Sequence, residues 1–331
     1  MAWASIEGID LYYELHGEGE TIVFAHGAGG NHLSWWQQVS FFREKYRCLT
    51  FDHRGFGRSG DREGGPGAAA FPEDLRALLD SLGIDRAYLV AQSMGGRTCM
   101  GFAAAYPQRV KALVMADTVF GMSDPTVDEQ FRAAREARPD ATPQNSAYSP
   151  RFASEQPDLA FLYDSIRALN PPRAMSLPGR QTPPDSRFVV TTEKLAWFAI
   201  PVQFVVGADD VLVPPSVMQA AAKLIPHARY EEVRGCGHSV YFENAQAFNR
   251  IVASFLESVG RGVWSVSQLN LTPSARNQWD RLVAAGMRPY AVICSCGKSF
   301  VSPANNVGML EERWLADHYG REGHELKLFE G

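Results

Sequence analysis

No stretch of about 18 consecutive apolar residues occurs in this chain, which leaves no candidate for a membrane-spanning helix. Basic charge is not in excess: 32 Lys and Arg stand against 37 Asp and Glu, for a formal net charge of −5. That balance gives no electrostatic argument for nucleic acid or a membrane surface as a partner. Cysteine is scarce, five residues and so an odd number, and no disulfide framework can be read from it. Cys48 and Cys99 sit in apolar runs and are expected as buried thiols. The first residues, Met1 to Ile6, lack the basic and apolar blocks of a signal peptide, so a cytoplasmic location is expected. Neither an internal repeat nor a low-complexity tract is present. What remains is 331 residues of ordinary globular composition, 45% hydrophobic and 21% charged, enough for one large domain and a small one.

Tyr88 to Gly96 is the most informative stretch. Tyr88-Leu89-Val90-Ala91 reads as a buried parallel strand, and it stops at Gln92-Ser93. A small-residue helix pattern follows, with Gly95, Gly96, Cys99, Gly101 and Ala103 to Ala105. A serine wedged between strand and helix, with small residues two positions to either side, describes a nucleophile elbow. The turn brings the flanking residues almost into contact, so both must be small. The helix N-terminus behind the serine also offers N–H groups and the positive end of a dipole to a developing oxyanion. G-x-S-x-G is the usual pattern; Ala91 stands here in place of the first glycine.

The flanking chain alternates strands with helices. Residues 3–15 read as a hairpin turning at Gly8. Thr21 to Ala25 is a buried strand leading into His26-Gly27-Ala28-Gly29-Gly30, where glycines let the backbone approach a ligand closely. The N–H groups of Ala28 and Met94 are the candidate oxyanion hole. A helix over Leu33 to Phe42 carries Trp35 and Trp36, both expected in the core. After a strand from Tyr46 to Phe51, the loop Asp52 to Ser59 has the composition either of an anion site or of a buried structural network, the latter being expected. Phe71 to Leu82 is an amphipathic helix, and Val110 to Ala116 is a further strand ending at Asp117. Residues 118–200 interrupt the rhythm and hold ten of the 20 prolines. So long an insertion between two strands is expected as a mobile lid that sets specificity. The strand pattern returns at Val202 to Val206, followed by a helix (216–224), a strand (229–233), Gly237-His238, and a helix from Ala245 to Val259.

Parallel strands put functional loops at their carboxyl ends, and three such loops carry a serine, an aspartate and a histidine in that order. A serine hydroxyl needs a base, and an imidazole supplies one at neutral pH. A carboxylate must then hold the imidazole in one tautomer. Ser93 is therefore the expected nucleophile and His238 the base. Asp210 is the expected acid, in a loop past a buried strand and ahead of a proline pair; Asp209 and Asp117 are the alternatives.

Together, His26-Gly27-Ala28-Gly29, the loop 52–59, Gln92-Ser93-Met94-Gly95-Gly96, Gly207 to Asp210 and Gly237-His238 resemble the α/β-hydrolase superfamily, and within it bacterial enol-lactonase-like and esterase-like members. The resemblance covers about residues 3–259. It implies an α/β fold with a mostly parallel eight-stranded sheet over 1–117 and 201–259 and a helical cap at 118–200. It also implies that Asp210 is the triad acid and that Ala28 and Met94 form the oxyanion hole. Serine at the nucleophile position disfavours the aspartate-based epoxide and haloalkane hydrolases of this fold.

A hydrolase of this kind is expected to end near Val259, yet residues 260–331 follow as a small C-terminal domain. Thr272-Pro273 starts a helix with Trp279, Leu282 and Val283 on one face. Pro289 to Ile293 reads as a strand, and a second helix is expected over about 308–319. The run Cys294-Ser295-Cys296-Gly297-Lys298-Ser299-Phe300, with Leu315, His318 and His324, resembles a two-cysteine, two-histidine zinc finger. It departs in having one residue between the cysteines and a longer span before the first histidine. The resemblance implies a structural zinc on Cys294, Cys296, His318 and His324. With eight Lys and Arg against seven Asp and Glu over 261–331, nucleic acid is not expected as its partner.

These features lead to a cofactor-independent serine hydrolase of a small-molecule carboxylic ester or lactone. Carbon–carbon bond hydrolysis of a vinylogous diketo acid by the same triad is the alternative. A catalytically silent ligand-binding or scaffold protein is the remaining rival. An aligned base on a serine argues against it.

Overall fold

The computed structural model of the chain describes residues 2–172, 186–195, 198, 200–225, 228–260, 273–284, 289–294, 299–303 and 326–330. These residues fall into two compact units, Met1–Phe255 and Leu256–Gly331.

The first unit is built on one eight-stranded sheet. Its strands are β1 (Ala2–Ile6), β2 (Ile9–His16), β3 (Thr21–Ala25), β4 (Arg47–Phe51), β5 (Ala87–Gln92) and β6 (Val110–Ala116). After a short pair made by β7 (Met122–Ser123) and β8 (Val190–Thr191), the sheet is completed by β9 (Val202–Gly207) and β10 (Arg229–Val233). Strand order is β1-β2-β4-β3-β5-β6-β9-β10, with the first two pairings antiparallel and the rest parallel. This is an α/β-hydrolase architecture. The central strands read as continuous apolar runs because helices cover both faces. Side chains alternate along β3: Val23 and Ala25 join a core with Leu75, Leu78, Cys99, Met100 and Met218. Phe24 points the other way, its ring centroid 5.2 Å from Trp35 and 6.1 Å from Phe42.

Between the strands run α1 (Trp36–Phe42), α2 (Phe71–Ser81) and α3 (Gly95–Ala105). The interruption between β6 and β9 holds α4 (Pro125–Ala137), α5 (Pro150–Glu155), α6 (Pro157–Ala168) and α7 (Thr192–Leu195). Pro125, Pro150 and Pro157 each sit in the first turn of a helix, where the missing N–H has no intrahelical role. Part of the proline density that broke the sequence rhythm is thus helix punctuation. Beyond β9 come α8 (Pro215–Lys223), α9 (Val240–Glu243) and α10 (Ala245–Gly260).

One expectation fails here. Trp35 is fully buried, but Trp36 is 42% exposed, because the chain starts α1 at that residue and its side chain lies outside the seam that Trp35 fills.

The loop 52–59 is a buried structural network. Arg54 donates from Nε and Nη2 to the two oxygens of Asp74 on α2, at 2.6 and 2.5 Å. Asp52 accepts from the His32 N–H at 2.6 Å and from the Arg58 N–H at 2.8 Å. Both Arg54 and Asp74 are almost fully buried, so removing Asp74 leaves the buried guanidinium with only the longer 3.8 Å ion pair to Asp61. Asp74→Ala is expected to destabilise the protein by about 3–5 kcal/mol, measured by denaturant unfolding. A loss below about 1 kcal/mol would show that Asp61 or water takes over the pairing of Arg54.

The second unit contains α11 (Pro273–Ala284) and a three-stranded antiparallel sheet of β11 (Pro289–Cys294), β12 (Ser299–Pro303) and β13 (Leu326–Glu330), in the order β12-β11-β13. Trp279 is fully buried, and Ala275, Leu282 and Val301 are buried with it. The strand β13, beyond His324, pairs with β11 and was not part of the zinc-finger expectation. Cys294 ends β11, while Cys296, His318, His324 and the helix expected at 308–319 lie outside the described residues. Among the described residues no cluster of His, Cys, Asp or Glu could hold a metal ion, so the zinc reading finds no support there. No described helix is long and apolar enough to cross a membrane.

Candidate active site

In the sheet β3 lies between β4 and β5, so the strand order reverses around it. A crevice opens at the carboxyl ends of the strands at such a reversal. His26 to Gly30 leaves β3 at that crevice, and Ser93 leaves β5 beside it.

The backbone of Ser93 is held in the left-handed region at φ 48°, an uncommon conformation for a residue with a side chain. Its N–H donates to the Ala116 carbonyl at 3.1 Å. Its carbonyl accepts from the Gly96 N–H at 2.9 Å and from Thr118 Oγ1 at 2.7 Å. A side chain on Gly95 would come within 2.2 Å of the Ala25 carbonyl oxygen, so only glycine fits at the turn. Ala91, the departure from the usual pattern, is fully buried in the core, where its extra methyl group packs.

His238 reaches Ser93 from the loop after β10. Its Nε2 is 2.9 Å from Ser93 Oγ, and its Nδ1 is 2.8 Å from Asp210 Oδ2. The carboxylate only accepts, so Nδ1 carries the hydrogen and the Nε2 lone pair faces the serine hydroxyl. The other Asp210 oxygen, Oδ1, accepts from the Leu212 and Val213 N–H groups at 2.8 and 3.0 Å, fixing the carboxylate in plane. A side chain on Gly207 would meet the Gly237 carbonyl oxygen at 2.0 Å, so glycine there lets the loops carrying Asp210 and His238 touch. All three residues are shielded, with Ser93 9%, His238 6% and Asp210 3% exposed.

Burial alone would lower the basicity of His238. The charge and hydrogen bond of Asp210, with Asp117 and Glu243 further out, outweigh it and leave the imidazole above its usual pKa. The other two aspartates take different roles. Asp209 is exposed. Asp117 is fully buried and accepts backbone N–H groups of Gly207 at 3.0 Å and Val240 at 3.2 Å. Burial, then the nearby Asp210 charge, pushes the Asp117 carboxyl well above the ordinary range.

Met94 follows Ser93 in the chain, and Ala28 follows Gly27 in the loop after β3. A Cβ built on Gly27 would lie 3.1 Å from the Ser93 Cβ, so this peptide passes alongside the serine. Among the described residues neither the Ala28 nor the Met94 N–H has a hydrogen-bond partner.

Several supporting residues were not read from the sequence. His26 Nδ1 donates to the Gly27 carbonyl at 2.7 Å, and its Nε2 accepts from the His53 N–H at 3.0 Å and faces His53 Nδ1 at 3.1 Å. His53 Nε2 meets Thr98 Oγ1 at 2.7 Å. Burial lowers His26 to about 4 and holds His53 well below the usual imidazole range, so both stay neutral and this chain of bonds persists at neutral pH. Gln92 Nε2 donates to the His238 carbonyl at 2.8 Å. The histidines and glycines of these loops were visible as residues, but no local spacing marks which polar groups pair.

Residues 20–245 match the family model described as the alpha/beta hydrolase fold. Among curated proteins, the chain is 28% identical over 265 residues to RutD of Azorhizobium caulinodans, named as a carbamate hydrolase, covering 77% of this chain and 98% of that one. Among solved structures it is similar to a thermophilic esterase from Thermogutta terrifontis, with 25% identity, a TM-score of 0.63, and 76% and 94% of the two chains covered. Est816, described as an N-acyl homoserine lactone degrading enzyme, is 26% identical with a TM-score of 0.62 over 76% of this chain and 99% of that one.

Proposed function

We propose that this chain, which belongs to the α/β-hydrolase fold family, is a cofactor-independent serine hydrolase that cleaves a small carboxylic ester or lactone. The observation that carries this reading is the relay from Asp210 through His238 to Ser93, at 2.8 and 2.9 Å. Ser93 Oγ attacks the carbonyl carbon as His238 Nε2 takes its proton. The oxyanion that forms is stabilised by the N–H groups of Ala28 and Met94. The imidazolium gives its proton to the leaving alkoxide, which stays tethered when the substrate is a lactone. Water then attacks the acyl-enzyme, losing a proton to Nε2, and that proton returns to Ser93 Oγ as the acid departs. The same steps serve any carbonyl with a protonatable leaving group, and the name of the relative from Azorhizobium puts carbamates beside esters and lactones.

The decisive test is a panel of p-nitrophenyl esters, lactones, carbamates and ring-fission diketo acids with purified protein. Turnover of an ester or lactone, with a mass shift on Ser93 equal to the acyl group, is expected. A chain that turns over none of them contradicts the reading, and turnover of the diketo acids alone moves the bond cleaved to carbon–carbon.

The pH dependence follows from the sign of the His238 shift. Only the neutral imidazole can accept the serine proton, so kcat/KM falls as pH drops and His238 protonates. Because the imidazole is held above its usual value, the midpoint of that acid limb is expected above about 6.5. A profile flat from about pH 5 to 8 with chemistry rate-limiting contradicts a histidine base.

A further inference from the structure

The loop that carries His238 is held from below by one buried carboxylate. Glu243, 6% exposed on α9, accepts from the Gly237 N–H at 2.9 Å through Oε1 and 3.0 Å through Oε2. Its Oε1 also accepts from the Ser239 N–H at 3.2 Å. The backbone on both sides of the histidine is therefore bonded to the same group. Glu243 Oε2 further accepts from the Ser149 N–H at 3.0 Å, and Ser149 caps α5 in the inserted segment through the Phe152 N–H at 3.1 Å. Ser239, fully buried, makes a second connection to that segment: its Oγ donates to the Ala147 carbonyl at 2.6 Å and accepts from the Tyr163 hydroxyl of α6 at 3.1 Å. A side chain on Gly237 would meet the Ser149 nitrogen at 2.7 Å, so the two segments are in direct contact.

We propose that Glu243 is a positioning residue for His238, and that through Glu243 and Ser239 the inserted helices hold the base in register with Ser93. This rests on the reading of His238 as general base. A buried carboxylate is costly unless donors surround it, and three backbone N–H groups meet that need here, two from the base loop and one from the inserted segment. Displacing the inserted segment at Ser149 therefore loosens the acceptor that fixes residues 237 and 239. The segment expected as a mobile lid is anchored at this end, and an opening motion that breaks the anchor also disarms the base. The groups that face the imidazole are Asp210 from the loop after β9, Asp117 from the loop after β6, Glu243 from α9, and Ser93.

The test uses the full chain and two variants. Glu243→Gln keeps volume and one acceptor oxygen but places an N–H donor where Ser149 and Gly237 donate. Ser239→Ala keeps the backbone N–H and removes only the contacts to Ala147 and Tyr163. Two readouts are taken: the rate at which a neutral fluorophosphonate ester labels Ser93, and the titration of His238 by ¹⁵N NMR, assigned by its absence in His238→Gln. In the labelling reaction the Ser93 oxygen bonds phosphorus, fluoride leaves, and His238 takes the hydroxyl proton.

Glu243→Gln is expected to label about 10- to 100-fold more slowly, as misplacement of a catalytic group does, and to titrate at lower pH because a facing charge is gone. With an ester substrate, kcat should fall while KM stays within about threefold. Ser239→Ala is expected to slow labelling by about threefold or more with its fold intact. A folded Glu243→Gln that labels at the wild-type rate overturns the proposal, whatever its His238 titration. A folded Ser239→Ala at the wild-type rate overturns the part played by the inserted segment, whether or not Glu243→Gln folds. Wild-type protein that resists labelling sinks the hydrolase reading and the positioning role with it, whereas labelling of the wild type at a rate that Glu243→Gln matches sinks the positioning role alone.

Discussion

Ser93→Ala is expected to lower kcat by about 10⁴-fold or more with the fold intact, and His238→Ala by a similar factor. In the proposed mechanism the two residues act as one unit, since Nε2 lies 2.9 Å from Oγ and the attack needs that proton transfer. The double variant should therefore be little worse than either single one. Ser93 is a stringent site for such a test because its left-handed φ of 48° belongs to the elbow and not to the side-chain chemistry. Alanine keeps the Cβ and the backbone bonds to Ala116 and Gly96, so lost turnover reports the hydroxyl alone. Steady-state and burst kinetics on a p-nitrophenyl ester would measure it. A variant that retains a tenth of the activity removes Ser93, or His238, from the mechanism.

Asp210→Asn should lose about 10³- to 10⁴-fold in kcat, far more than either neighbouring aspartate. Its Oδ2 is the group that receives the Nδ1 hydrogen at 2.8 Å, and an amide nitrogen in that place favours the wrong tautomer. Asp209→Asn should stay within about twofold of wild type, since that side chain is exposed and makes no contact with the imidazole. Asp117→Asn is expected to show as lost stability more than lost turnover, because its two oxygens serve the Gly207 and Val240 N–H groups and an amide can accept for only one. Kinetics and thermal unfolding on the three variants decide the ranking. Asp117→Asn as the most damaging of the three to kcat would move the acid to the loop after β6.

The parts of this molecule that were legible in the chain are those in which the backbone itself restricts the residue. The elbow shows as small residues around Ser93 because the Ala25 carbonyl leaves no room at Gly95. Gly207 before Asp210 has the same origin in the Gly237 carbonyl. The apolar runs of β3, β5, β6 and β9 show because both faces of those strands are covered. Trp35 and Trp36, by contrast, are chemically alike and adjacent. One is buried and the other 42% exposed, and only the placement of α1 separates them.

Polar partnerships were the least legible. Glu243 lies 94 residues from Ser149, and Gln92 lies 146 from His238. His53 and Thr98 are 45 residues apart, and nothing in local spacing marks any of these pairs. By itself the sequence determined the alternation of strands and helices, the elbow, and a short set of candidates for acid and base. Those features follow from interactions within a few residues or from burial of one strand. Tertiary structure decided which aspartate meets His238, which buried histidines hold the Ala28 loop, and that the inserted segment bonds to Glu243 and Ser239 beside His238. Such choices depend on where the strand ends converge, and a hydrogen bond is satisfied by any donor and acceptor that the fold brings within about 3 Å of each other.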